Sequence, residues 1–329
     1  MTAIDPLTPI PLVVLTGFLG AGKTSWLNGA LKHPDLAETL VIINEFGEAG
    51  LDHLLIEAAP GEVVLMAAGC LCCSLRSDLV STLEDLLRRR DNKRMTIFRR
   101  VVIETTGLSD PLPILQSVLQ HPYLSKRFAL SGVVSVVDAV SAAATLAAHE
   151  AARRQVALAD ALVLTKIDIA TPEQIIATRS ALHALNPRLA PVPAADFAPQ
   201  DLFAQRFAPL DAGEVERWLG EAEVLPNHAN GIESFTFLSN SEVSEGALLV
   251  FQEAIRVLHG PKLLRLKGIV RVAEHPDEPV VIHHVQSVAH PPHRLPRWPG
   301  RDKRTRLVFI TQGIERAMIE GFWNALARG

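Results

Sequence analysis

A surplus of positive charge is missing: 32 Lys and Arg stand against 36 Asp and Glu, for a net charge of -4. A dedicated nucleic-acid binder carries a strongly basic face, so nucleic acid is not an expected partner. Long apolar runs are missing too. The most apolar stretch, 128–149, carries Asp138 and several serines and falls short of a membrane span. The first six residues, Met1 to Pro6, put no positive region ahead of an apolar core, as a secretory signal requires. A cytoplasmic location and no membrane contact are therefore expected. Cysteine is scarce, with three in 329 residues, all between positions 70 and 73. An odd number packed this tightly cannot form a disulfide framework for such a chain. No internal repeat is visible. The rest is ordinary for a folded protein: 48% hydrophobic and 21% charged, at a length that suggests about two domains.

The first half alternates short apolar runs with amphipathic stretches, the pattern of a parallel sheet covered by helices. It predicts strands at Ile10–Leu15, Thr39–Ile43, Glu62–Met66, Arg100–Ile103, Leu130–Val137 and Ala161–Leu164. Helices are expected at Lys23–Lys32, Ser77–Arg90, Asp110–Gln120, Ser141–Ala159 and Pro172–Leu185. In the second of these, Leu79, Leu83, Leu86 and Leu87 share one face, while Glu84 and Asp85 can pair with Arg88 and Arg89. From Asn186 to about Ile232 six prolines interrupt the pattern around one short helix near Gly213–Leu219. Beyond it, strands at Ser234–Leu238, Leu263–Val272, Val280–Val288 and Arg306–Ile310 and helices at Glu245–Leu258 and Glu315–Ala327 are expected. The fold class is α/β: a domain with a mostly parallel sheet over residues 1–190, a Pro-rich linker over 191–231, and a smaller C-terminal α+β domain over 232–329.

The strand at Ile10–Leu15 runs into Gly17-Phe-Leu-Gly20-Ala21-Gly22-Lys23-Thr24-Ser25 and then a helix. This is the strand–GxxxxGK[ST]–helix arrangement, and it makes the 1–190 domain an expected P-loop NTPase domain. Small residues let backbone N–H groups curl around phosphates, Lys23 reaches the β- and γ-phosphates, and Thr24 offers a hydroxyl to Mg²⁺. Glu104 ends another apolar strand, at the crevice where open α/β sheets bind ligands. It is placed to hold Mg²⁺ directly or through water, and Gly107 of Glu104-Thr-Thr-Gly107 to give its N–H to the γ-phosphate. Thr165-Lys166-Ile-Asp168 ends a later strand. There Asp168 would accept from guanine N1–H and N2–H₂ with the Lys166 stem against the base, which favours GTP over ATP. The usual first residue of that motif is Asn; Thr165 departs from it.

Cys70-Leu-Cys72-Cys73 lies between these segments. Residues i and i+2 face the same way in extended chain, and a turn brings the third thiol round, so three thiolates make a soft site suited to Zn²⁺, Cu(I) or Co²⁺. Small buried hydrophobes and a redox pair, Cys70 with Cys73 at Cys-X-X-Cys spacing, remain the alternatives. His283, His284, His290 and His293 cluster within eleven residues. Neighbours on a strand point to opposite faces, and the pair after Val288 reads as a solvated loop, so a second metal site there is the weaker reading. The basic run Arg297, Arg301, Lys303, Arg304 and Arg306 reads as a solvated face.

The phosphate loop, Asn44-Glu45-Phe46-Gly47-Glu48, Gly69-Cys70-Leu-Cys72-Cys73, Glu104-Thr-Thr-Gly107 and Thr165–Asp168 occur in the order of the CobW-like P-loop GTPases, which the chain resembles over nearly its whole length. The C-terminal His283-His-Val-Gln286 and Asp302–Ile310 segments resemble that family's signatures as well. The resemblance implies GTP hydrolysis coupled to delivery of a transition metal to an unidentified client protein, with Lys23 and Glu104 at the reacting phosphate; no glutamine or arginine finger stands out, so slow intrinsic turnover is expected. It puts Zn²⁺, or alternatively Co²⁺, on Cys70, Cys72 and Cys73. It makes Asn44–Glu48 a switch segment, with Glu45 or Glu48 as a further ligand to the metal or to Mg²⁺. A cobalt-insertion or nitrile-hydratase-activator role, a non-catalytic metal buffer or sensor, and a P-loop phosphotransferase are the alternatives. The chain is expected as a monomer or homodimer. It lacks the His-rich tract that some members of the family carry.

Overall fold

The computed structural model describes residues 8–45, 63–67, 74–204, 215, 227–229 and 231–328. The chain divides into two compact units: Met1–Arg179 with Pro191–Phe207, and Ser180–Ala190 with Ala208–Gly329.

The first unit is built on β1 (Ile10–Thr16), β2 (Thr39–Glu45), β3 (Val63–Ala67), β4 (Arg100–Thr105), β5 (Phe128–Asp138), β6 (Ala161–Thr165) and β7 (Val192–Pro193). They form one sheet in the order β3-β2-β4-β1-β5-β6-β7, and every neighbouring pair is parallel. A parallel sheet needs cover on both faces, which is why β1, β4 and β6 are rich in Val, Ile and Leu and β5 is buried almost throughout. The helices are α1 (Lys23–Leu31), α2 (Ser74–Asp91), α3 (Leu112–Gln120), α4 (Leu124–Arg127), α5 (Ala142–Ala148), α6 (Glu150–Ala157) and α7 (Pro172–Leu185), the last running from the first unit into the second. On α2, Leu79, Leu83, Leu86 and Leu87 are all buried, and Arg88 pairs with Asp85. Leu27 and Leu31 of α1 pack with Val13, Leu15, Val41 and Val136 of the sheet.

Two expectations change here. The single helix expected over 141–159 is two, because His149 has an extended backbone, φ -121° and ψ 118°, and ends one helix while opening the next. The stretch 191–231 is partly built into the first unit: β7 pairs with β6 at the sheet edge, and Phe197 and Leu202 join the core. Proline is tolerated there because an edge strand needs only one row of donors.

The second unit holds β8 (Asn227–Ala229), β9 (Ile232–Ser239), β10 (Leu263–Val270), β11 (Val280–Val285), β12 (Val288–Arg294) and β13 (Thr305–Thr311), with α8 (Glu245–His259) and α9 (Arg316–Leu326). The sheet order is β12-β11-β10-β13-β9-β8, with antiparallel pairing throughout. Phe235, Phe237, Leu266, Leu307 and Phe309 on one face of it meet Phe251 and Ile255 of α8 and Trp323 of α9 in a buried apolar core. The strand expected over 280–288 is a hairpin instead. Val285 pairs with Val288 across a turn in which Gln286 takes φ 50°, and the chain continues through Pro291 and Pro292 as the edge strand β12. Of the helix expected near 213–219, only Val215 is described, as helical and buried.

Candidate functional site

The parallel registers bring several strand ends to one rim of the first sheet. Leu15 is level with Glu104, Asn44 with Thr105, Glu45 with Ala67, and Asp138 with Thr165. Ligands bind in such sheets beyond the carboxyl ends of the strands, so the rim is where chemistry is expected.

At its centre, β1 turns sharply into α1. Gly17, Gly20 and Gly22 have φ of 142°, 71° and 85°, values that side chains disfavour. Gly17 has a second reason to be glycine: a Cβ there would lie 2.2 Å from Val136 O. Gly22 precedes α1, and no described side chain caps that helix, so its first N–H groups point at the loop, an arrangement suited to an anion. Lys23 is buried, and its Nζ donates to Gly17 O at 2.9 Å and Phe18 O at 3.4 Å. Ser25 is exposed.

Glu104 is only 3% exposed and accepts from Thr24 Oγ1 at 2.5 Å, a length typical of hydroxyl-to-carboxylate bonds. Hydroxyl and carboxylate are hard oxygen donors of the kind Mg²⁺ takes, and they lie together beside the loop. Beyond Glu104, Thr105 Oγ1 donates to Thr16 Oγ1 at 2.9 Å, tying β4 to β1. Gly107 presses on the phosphate loop: a Cβ there would sit 2.6 Å from Leu19 N.

On the other side, Thr165 Oγ1 lies 2.7 Å from Ala21 O and 3.1 Å from Val137 O. The residue that departs from the usual Asn therefore bridges the base-side turn and the phosphate loop. Lys166, at φ 56°, donates from Nζ to Asp138 Oδ2 at 2.6 Å. Burial pushes the Asp138 carboxyl up, but hydrogen bonds from Lys166, Val140 N–H and Ser141 outweigh it and hold the group below the usual carboxylate range. Asp168 is exposed, so base discrimination by Asp168 requires that the base itself cover it.

A family model described as the CobW/HypB/UreG nucleotide-binding domain matches residues 11–193, and one described as the cobalamin synthesis protein cobW C-terminal domain matches 232–327. The chain belongs to the CobW/HypB/UreG family. The zinc chaperone YjiA of Escherichia coli is 42% identical over 164 residues, covering 50% of this chain and 51% of the relative. The zinc-regulated GTPase metalloprotein activator 1 of Schizosaccharomyces pombe is 33% identical over 187 residues, 55% of this chain and 44% of that one. These two alignments span about half the length of each relative. A third relative, the zinc chaperone CobW of Pseudomonas aeruginosa, is 29% identical across 95% of this chain and 90% of its own. Among solved structures, the zinc-bound YjiA GTPase of E. coli superimposes with TM-score 0.69 at 24% identity, covering 97% of this chain and 99% of that one. A zinc-bound triple mutant of YjiA gives 0.71 at the same identity and coverage. At that identity the likeness shows the shared fold.

Of the residues expected to act in this CobW-family chain, the structure brings together Gly17–Thr24, Glu104, Gly107, Thr165 and Lys166. Cys70, Cys72, Cys73, Phe46, Gly47 and Glu48 lie outside the described residues, as do the side chains of Asn44 and Glu45. Among the described residues no group of three or more His, Cys, Asp and Glu is disposed to hold a metal, and no helix is long and apolar enough to cross a membrane. His283 and His284 are both buried, and His284 Nε2 meets Gln252 Oε1 of α8 at 3.0 Å. His290 and His293, expected in a solvated loop, are half-buried on β12.

Two participants escaped the sequence reading. Asp138 had a usable signal, since it ends a parallel strand just as Glu104 does. Gln155 had a fainter one: it is polar beside Ala152 and Val156, both buried, on α6. Its Nε2 donates to Gly107 O and Ser109 O.

Proposed function

We propose that the chain is a GTP-hydrolysing metallochaperone. It binds GTP on the Gly17–Thr24 loop, holds a transition metal on the thiolates of Cys70, Cys72 and Cys73, and passes that metal to a client protein. Zinc is the favoured cargo, supported by relatives named as zinc chaperones and by the preference of Zn²⁺ for sulfur ligands; cobalt shares the same ligand chemistry. The observation that carries the reading is the Thr24–Glu104 pair beside a buried Lys23 at the mouth of the loop. A hydroxyl and a carboxylate are hard oxygen donors, and a divalent cation with a phosphate chain is what such a set accommodates. Thr24 and Glu104 would hold Mg²⁺, directly or through water, and the ion would neutralise charge on the β- and γ-phosphates. Lys23 and the N–H groups of the loop orient the phosphates, and Gly107 presents its N–H to the terminal one. Thr165 and Lys166 seat the base edge, with Asp168 reading guanine.

The strand order supports the coupling. β2 leads into Asn44–Glu48 and β3 toward the cysteines, and β2 lies beside β4, which carries Glu104. Asn44 of β2 is level with Thr105, the neighbour of Glu104 on β4, so the two strands end at the same rim. Reciprocity follows: if GTP tightens metal binding, metal tightens GTP binding by the same factor. The test measures Zn²⁺ affinity in the presence of a non-hydrolysable GTP analogue and of GDP, with elemental analysis of wild type and of a Cys70→Ser, Cys72→Ser, Cys73→Ser triple variant. Tighter metal binding with the analogue, lost in the triple variant, is expected. Equal affinities with both nucleotides would reduce the protein to a metal buffer. Consumption of nucleotide that depends on a small-molecule acceptor and not on metal would make it a phosphotransferase.

A further inference from the structure

We propose that Gln155 is a positioning residue for the Gly107 turn, so that α6 governs how readily that turn engages a terminal phosphate. The inference rests on the reading of the Gly17–Thr24 loop as a GTP site and adds a residue to it. Gln155 is 1% exposed. A buried amide at such a position is costly unless its hydrogen bonds are made, and those of Gln155 are specific: Nε2 donates to Gly107 O at 3.1 Å and to Ser109 O at 3.0 Å. Both amide hydrogens are thus spent on the turn that follows Glu104.

Further contacts tie α6 and this turn to each other and to the phosphate loop. Arg154 Nε pairs with Asp110 Oδ2 at 2.9 Å, while Asp110 Oδ1 accepts from Leu112 N at the start of α3, so α6 grips the segment at both ends. Gly107 abuts the backbone of Leu19, so what holds the turn from behind bears on how it sits against the phosphate loop. Where α5 meets α6, His149 stacks on Phe18 of the phosphate loop, with ring centroids 4.7 Å apart and planes 26° from parallel. The α5–α6 hairpin therefore touches both halves of the phosphate site.

Beneath the hairpin is a cavity of about 30 Å³ lined by Phe18, Ser135, Asp138, Thr145, Ala152 and Gln155, among others, room for about two waters. Gln155 Oε1 and Ser135 Oγ are buried and have no hydrogen-bond partner among the described residues. Unlike a close-packed side chain, the amide can shift with the turn without breaking another bond to protein.

The experiment compares wild type, Gln155→Met, Gln155→Asn and Arg154→Gln for affinity toward GDP and a non-hydrolysable GTP analogue, and for kcat and KM of GTP hydrolysis. Gln155→Met keeps the shape and removes both donors. It is expected to leave GDP affinity within about twofold, while analogue affinity and kcat each fall about tenfold, the loss expected of one to two net hydrogen bonds. Arg154→Gln, at the better-hydrated end of the clamp, is expected to move both in the same direction by about threefold. If Gln155→Met does not fold, Gln155→Asn, which keeps the amide and loses its reach, and Arg154→Gln carry the test. Equal loss of GDP and analogue affinity would make Gln155 a packing residue and overturn the inference; so would unchanged preference for the analogue. A wild type that binds neither nucleotide would instead overturn the GTP reading, and this inference with it.

Discussion

Replacing Glu104 by Gln removes one charge and almost no shape. The amide Oε1 can still accept from Thr24 Oγ1, which lies 2.5 Å from Glu104 Oε1, so the local hydrogen bond survives in neutral form. The stability change is expected to stay within about 1 kcal/mol, because the weaker bond is offset by no longer burying a carboxylate. Mg²⁺ is another matter. Losing a carboxylate that holds or orients a metal's ligands costs about 10- to 100-fold in affinity, and the deep burial of Glu104, 3% exposed, puts the loss toward the upper end. The assay is titration of Mg²⁺ into protein with a fluorescent GTP analogue, alongside thermal unfolding and steady-state turnover. Glu104→Gln should shift the Mg²⁺ midpoint by that factor, lower turnover, and leave the melting temperature within a few degrees. An unshifted Mg²⁺ midpoint at normal turnover would refute the assignment, leaving Glu104 as an acid that anchors Thr24 and nothing more.

Thr165→Val keeps the side-chain volume but removes the hydroxyl proton shared between Ala21 O and Val137 O; the first unit should lose about 1–3 kcal/mol in chemical denaturation, and unchanged stability would dismiss the bridge. Gly17→Ala places a methyl 2.2 Å from Val136 O, backbone that cannot step aside; a loop displaced by about 1 Å should lose about a hundredfold in GTP turnover, and normal turnover would show the loop to be slack. The second unit should weaken in mild acid. Burial pushes His284 from 6.5 down to about 4 and holds His283 well below its ordinary value. A histidine harder to protonate when folded gives its full stability above the unfolded pKa and loses it as pH falls toward the folded one. His284 alone should withdraw about 2 kcal/mol by pH 5; an imidazole NMR titration with a midpoint near 6.5 would count against it.

Much of the first unit could be read directly. Its strands are buried on both faces, so runs such as Leu12–Leu15 and Val101–Ile103 announce themselves. The chemistry at their ends follows from residue type, since Lys23, Thr24 and Glu104 have few structural reasons to gather there. What stayed hidden depends on partners distant in sequence. The helix break at His149 carries no proline or glycine; its ring stacks on Phe18, more than 100 positions earlier. The role of Gln155 exists only once Gly107 and Ser109 are brought to it. The turn at Gln286 uses neither Gly, Asn nor Asp, so nothing local divided β11 from β12. The two prolines that followed argued against a strand, and only an edge position accommodates them.

That edge has a consequence of its own. An antiparallel sheet ending in a bare row of amides invites a foreign chain to dock as one more strand, and from there to polymerise. Pro291 and Pro292 are both exposed on β12, and their imide nitrogens offer no hydrogen to a newcomer. At the opposite border, β8 runs for only three residues, too short a template to seed a ladder. Among the described residues, both flanks of the C-terminal sheet are thus guarded against self-recruitment.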